Sequence, residues 1–230
     1  MPRAFAEADS EETGDEAPAV TAAPVGSGTA ARGSGKSKTK KQKPRRKSKV
    51  VGRVVPDAQL RTTPLGRPSG HLQLFNLNSR EEVDLEIFND DGSYDVEELR
   101  AADHILRCKR TETEKSIDPR LISLLSHIYD HYGKRIEIVS GYRNQRKQTS
   151  YHFKASASDI RIEGVSPRKL VQFAATLDTG GMGIGLYPRA RFVHIDVRPP
   201  PSYRWIDNAR PRNSWDKQPP RGWKRKKLQS

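Results

Sequence analysis

At 230 residues, a hydrophobic content of 33% and a mean hydropathy of −0.83 are low for a fully packed body, so one domain with disordered flanks is expected. Lys and Arg number 42 against 28 Asp and Glu; this formal charge of +14 predicts attraction to polyanions, whether nucleic acid, anionic lipid or cell-wall polymer. The single cysteine, Cys108, excludes an intramolecular disulfide and a Cys-rich zinc site, and its helical surroundings mark it as a small packing residue.

No stretch approaches the ~20 apolar residues of a membrane span. The N-terminus is acidic (Glu7, Asp9, Glu11, Glu12, Asp15, Glu16), where a signal peptide would be basic and then apolar. Arg45-Arg46 ahead of Val50, Val51, Val54 and Val55 faintly resembles a twin-arginine signal. Lys47, Lys49 and Arg53 interrupt its apolar part, so the segment reads as a basic linker. Residues 1–56 are expected to be a disordered tail: acidic, then rich in Ala, Gly, Ser and Pro, then carrying ten cations between Lys36 and Arg53 without an acid.

Order begins near His71. Leu72, Leu74, Phe75 and Leu77, the alternation of Val83, Leu85 and Ile87, and the turn Asn89-Asp90-Asp91-Gly92 suggest a hairpin near the domain's start. Residues 96–108 have helical spacing at Val96, Leu99, Ala102, Ile105 and Leu106. A second helix starts at Asp118-Pro119, with Asp as cap and Pro in the first position, and runs to Gly133. Residues 136–139 read as a buried strand. Ser166-Pro167 opens a helix closed near Gly180-Gly181, and residues 192–197 read as another strand. Gly180, Gly181, Gly183 and Gly185 follow a helix and precede a strand, the reverse of a phosphate loop, and read as a turn. Trp205 is placed at the sheet edge, and 207–230 is expected to be a basic, Pro-rich tail. The order of elements predicts an α+β domain over 70–206, with a mainly antiparallel sheet flanked by helices.

Ser150-Tyr151-His152-Phe153-Lys154-Ala155-Ser156-Ala157-Ser158-Asp159, followed by Phe192-Val193-His194-Ile195-Asp196, carries two histidines and a carboxylate. A catalytic zinc takes three protein ligands at ~2.0–2.2 Å and keeps a fourth position open to water. His194 and Asp196, at i and i+2 of a strand, share one face, so one can ligate while the other contacts the water or orients the ring. His127 and His131 stand four apart on a helix but lack the glutamate of a zincin pair; a surface or capping role is expected. His71 and His104 read as structural.

These residues and their flanks resemble the superfamily of zinc D-alanyl-D-alanine peptidases and Hedgehog-like domains, marked by SxHxxGxAxD and a later His-bearing strand, and within it the YcbK-like murein endopeptidase branch. The resemblance runs from His71 to Trp205 through Gly92-Ser-Tyr-Asp, Ile117-Asp-Pro-Arg-Leu, Ser140-Gly-Tyr-Arg, Gly180-Gly-Met-Gly and Tyr203-Arg-Trp. It implies one zinc ion held by His152, Asp159 and His194, with Arg143 supporting the substrate carbonyl. It also implies a Hedgehog/DD-peptidase-like fold, hydrolysis of peptide bonds in peptidoglycan, and a periplasmic or cell-envelope location.

The chain departs from that pattern in two respects. Ala155 replaces the usual Gly, and Arg191 and Phe192 stand where members of the superfamily often carry Glu or His as base. Asp196 is the candidate to accept the water's proton or to orient His194. A catalytically inactive zinc-binding module that recognises cell-wall peptide or another polyanion is the alternative. A monomer with no specific nucleic-acid partner is expected.

Overall fold

The computed structural model describes residues 50–209. The acidic segment, most of the basic run with its Arg45-Arg46 pair, and residues 210–230 lie outside the described residues. Within 50–209 the chain forms strands β1 (Val50–Val54), β2 (His71–Asn76), β3 (Glu82–Glu86), β4 (Ile136–Ser140), β5 (Ala157–Ile162), β6 (Met182–Tyr187), β7 (Phe192–Val197) and β8 (Tyr203–Asp207). The helices are α1 (Val96–Ile105), α2 (Pro119–Tyr132) and α3 (Pro167–Thr176).

Each helix begins where a short polar side chain satisfies backbone donors left open at the first turn. Asp95 accepts from Glu97 and Glu98, Asp118 from Arg120, and Ser166 from Lys169. Pro119 and Pro167 add a preset φ to α2 and α3, and Gly133 ends α2 in the left-handed region at φ 55°. The expected first helix stops at Ile105, three residues short, because the Leu106 carbonyl turns away to accept the Tyr142 N–H at 2.7 Å.

The strands make one eight-stranded sheet in the order β1-β8-β6-β7-β5-β4-β2-β3. Only the β2–β4 and β6–β8 pairs are parallel, so the mainly antiparallel α+β expectation holds. Leu72, Leu74, Ile136, Ile138, Ile160, Ile184, Val193 and Ile195 bury one face in a core shared with Leu121, Ile122, Leu125 and Ile128 of α2 and Leu170 and Ala174 of α3. Cys108 is buried in the same core, as a packing residue would be.

The span 1–56 read as a tail holds, at its end, strand β1, paired antiparallel with β8 from Val50↔Asp207 to Val54↔Tyr203. All five β1 residues are exposed, so no apolar alternation marks it; backbone pairing to a neighbour 150 residues away makes it a strand. The glycine run also divides. Gly180 and Gly181 turn at φ 112° and 86°, whereas Gly183 and Gly185 lie inside β6.

Candidate metal centre

Side chains alternate across a strand, and the register stacks one set on the sheet face away from the core. Asp159 of β5 pairs with His194 of β7, and His194 pairs with Gly185 of β6, which pairs with Trp205 of β8. The face therefore carries Asp159, His194 and Asp196 beside two glycines and an indole. A methyl group at Gly185 would overlap the Trp205 ring, and one at Gly183 would overlap the Asp196 carboxylate and Arg198 guanidinium, so this part of β6 must be bare. Trp205 thereby lies over the strand, 5.0 Å from the His194 ring between centroids.

His152 comes from the loop between β4 and β5. The Arg143 N–H bonds its carbonyl at 3.1 Å, and the loop closes through Ala155, which adopts φ 58°. The position where the resembling family carries glycine is left-handed in this chain, and alanine occupies it with its methyl buried.

His152, Asp159 and His194 bring one ligand atom each within 4.8 Å of one another, all three side chains buried. His194 Nδ1 is 2.9 Å from Asp159 Oδ1 and 3.1 Å from His152 Nε2, which is 3.3 Å from the same carboxylate oxygen. Atoms bound to a tetrahedral zinc at ~2.0–2.1 Å stand ~3.3 Å apart, so the set needs little movement to close on one ion.

The outer contacts orient the rings. His152 Nδ1 donates to the Gly141 carbonyl at 2.7 Å, and His194 Nε2 donates to Asp196 Oδ2 at 2.9 Å. Both partners only accept, so when the rings are neutral the inner nitrogens, His152 Nε2 and His194 Nδ1, hold the lone pairs, and a proton bound there instead is donated to Asp159. Two lone pairs and a carboxylate oxygen aimed at one point repel one another unless a cation lies between them. This donor set fits zinc.

Burial pushes the His152 imidazole below its ordinary pKa, against the pull of Asp159. Burial would raise Asp159, but the charges of His152 and Arg143 and the bonds from both histidines hold it well below the usual carboxylate range. Burial would lower His194, but its bonds to Asp159 and Asp196 raise it. Burial would likewise raise Asp196, and the bonds from His194 and Arg198 lower it. Carboxylates are thus kept ionised around a point that calls for positive charge.

Arg143 donates from Nη2 to Asp159 Oδ2 and from Nε to Ser140 Oγ at 2.7 Å; its side chain stays 40% exposed, and neither bond uses Nη1. Asp196 is fully buried, with Oδ2 on His194 and Oδ1 accepting from Arg198 Nε at 2.6 Å. Its carboxylate therefore meets the His194 nitrogen that faces away from the cluster. Of the other histidines, His131 stacks on Phe173 with centroids 3.7 Å apart, while His71 and His104 bond Glu86 and Glu114 at 2.6 Å. Sequence reasoning missed Arg198 and the Gly141 carbonyl. Arg198 stands two residues past Asp196 in line with the ligand face, a spacing that could have been noticed; a backbone carbonyl leaves no such sign.

A family model described as Peptidoglycan L,D-endopeptidase MepK matches residues 66–203. The chain is 35% identical over 174 residues to Peptidoglycan L,D-endopeptidase MepK of Escherichia coli (strain K12), covering 67% of this chain and 94% of that protein. It is 30% identical over 168 residues to the Probable peptidoglycan L,D-endopeptidase MepK of Haemophilus influenzae (strain ATCC 51907 / DSM 11121 / KW20 / Rd), covering 66% and 88%. No solved structure gives a significant match. The matched span opens ahead of β2, closes on the first residue of β8 and carries the whole His152, Asp159 and His194 set, and on that ground the chain belongs to the peptidoglycan L,D-endopeptidase MepK family.

Proposed function

We propose that this protein is a zinc metallopeptidase that cleaves L,D peptide bonds in peptidoglycan, with the ion held by His152 Nε2, Asp159 Oδ1 and His194 Nδ1. The observation that carries the reading is the convergence of two lone-pair nitrogens and one carboxylate oxygen, 2.9–3.3 Å apart, within the span that matches the family. Zinc bound there would polarise a peptide carbonyl and lower the pKa of water toward ~7.

The chain's own residues do the rest. Gly141 holds the His152 tautomer, Asp196 holds that of His194, and Arg198 fixes Asp196. Arg143 anchors Asp159 through Nη2 and offers Nη1 to the substrate carbonyl. With both Asp196 oxygens engaged, its role here is to position His194, and it is not the base. The protein acts in the periplasm or cell envelope as a monomer, and its basic flanks hold it on an anionic wall without specific affinity for nucleic acid.

Metal analysis coupled to product identification on purified sacculi tests this. Wild type should carry one zinc per chain and release peptides cut at an L,D bond, whereas His194→Ala should lose both. Undiminished release from a zinc-free His194→Ala protein would overturn the reading.

A further inference from the structure

Tyr187 ends β6 on the ligand-bearing face, two residues beyond Gly185, the partner of His194. Its ring stacks on Phe192 of β7 with centroids 4.3 Å apart. Its hydroxyl accepts from Trp205 Nε1 at 3.1 Å, and that same indole packs on the His194 imidazole. An indole N–H can only donate, so the Tyr187 oxygen is the acceptor in this bond and its own proton points elsewhere. Among the described residues, no hydrogen bond takes that proton. A phenylalanine would serve the stacking equally well but would leave the Trp205 N–H without this acceptor; what the structure leaves uncommitted among the described residues is the hydroxyl's own proton.

Burial raises the Tyr187 phenol, against the hydrogen bond from Trp205. The phenol therefore keeps its proton at neutral pH. Arg143 already commits Nε to Ser140 and Nη2 to Asp159, leaving one edge for substrate. A carbonyl oxygen that becomes negative during attack is best held by more than one fixed donor.

Resting on the peptidase reading above, we propose that Tyr187 is a further catalytic residue: its O–H donates a hydrogen bond to the scissile carbonyl oxygen as charge builds there, alongside the bond from Arg143. No proton is transferred; the phenol stays neutral throughout.

Tyr187→Phe keeps the ring and removes the donor. Two measurements on the full chain test it: turnover of purified muropeptides, and affinity for a phosphinic pseudopeptide whose tetrahedral phosphinate replaces the scissile amide. Expected are a fall in kcat of about 100-fold with KM and zinc content unchanged, and a loss of phosphinate affinity of similar size with no change for product peptide. Turnover within about threefold of wild type, unchanged phosphinate affinity, no phosphinate affinity in the wild type, or loss of zinc by the variant would each overturn it. A wild type that binds the phosphinate but releases nothing from sacculi would sink the peptidase reading alone, with Tyr187 then judged by the affinities.

Discussion

His152 and His194 present different ring nitrogens to the same point, and each is held by an acceptor on its opposite nitrogen: a carbonyl for one, a carboxylate for the other. The two supports differ in how they can be tested. Asp196→Asn keeps the shape but can present an amide N–H where His194 needs an acceptor, so zinc affinity should fall ~10–100-fold, measured by competition with a chelator. Arg198→Lys cannot reproduce the two-point contact with Asp196 and should weaken zinc in the same direction, by less. At Ala155 three effects compete. A left-handed alanine costs ~1–2 kcal/mol, while a change to glycine forfeits a buried methyl of ~0.8 kcal/mol and adds freedom to the unfolded chain of ~0.5–1 kcal/mol. The terms nearly cancel, which is why alanine is tolerated here. Ala155→Gly should shift the denaturation free energy by less than ~1 kcal/mol, whereas Ala155→Val, branched and buried, should cost ~2–3 kcal/mol.

Between elements, the N-terminus of α2 is tied to the metal loop. Asp118 caps the helix with its side chain and gives its backbone N–H to the Ala155 carbonyl at 2.9 Å. Asp118→Ala should lower stability by ~1 kcal/mol in urea while leaving zinc content unchanged, because the backbone bond survives the substitution. Gly185→Ala should reach the metal as well: it drives Trp205 off the His194 ring and should cost ~1–3 kcal/mol together with metal affinity. The helices and the His194 strand were legible in the chain because caps and apolar spacing are local signals. So were the three ligands, through their resemblance to a known motif. Strand β1 and the strand character of Gly183 and Gly185 were not, since nothing local distinguishes a polar edge strand from a linker, or a bared strand from a turn. Asp196 was found but left between two roles; its carboxylate meets the His194 nitrogen that faces away from the cluster, a contact that strand spacing alone does not reveal.

For the whole molecule, charge is unevenly divided. Residues 50–209 hold 23 Lys and Arg against 21 Asp and Glu, so all but two of the fourteen excess positive charges lie in the flanks. Attraction of the full chain to sacculi should therefore fall steeply as salt rises, measured by co-sedimentation, while hydrolysis of small soluble muropeptides changes little. Acid acts on the folded domain instead. Arg107, bonded to Glu81 at 2.6 Å, holds that carboxyl at about 2, below its ordinary 4.5. A depressed carboxylate stabilises the fold above its unfolded value and stops doing so as pH falls through its folded one. Melting curves should thus lose part of their stability between about 4.5 and about 2, and Glu81→Gln should lack that part. The pairing of β1 with β8 reaches further. Because Val50 sits opposite Asp207, the chain enters the sheet and leaves it side by side. Both cationic flanks are therefore joined to the sheet at one corner, so a wall polymer that captured both would hold the chain at a single point and leave the ligand-bearing face free of the tether.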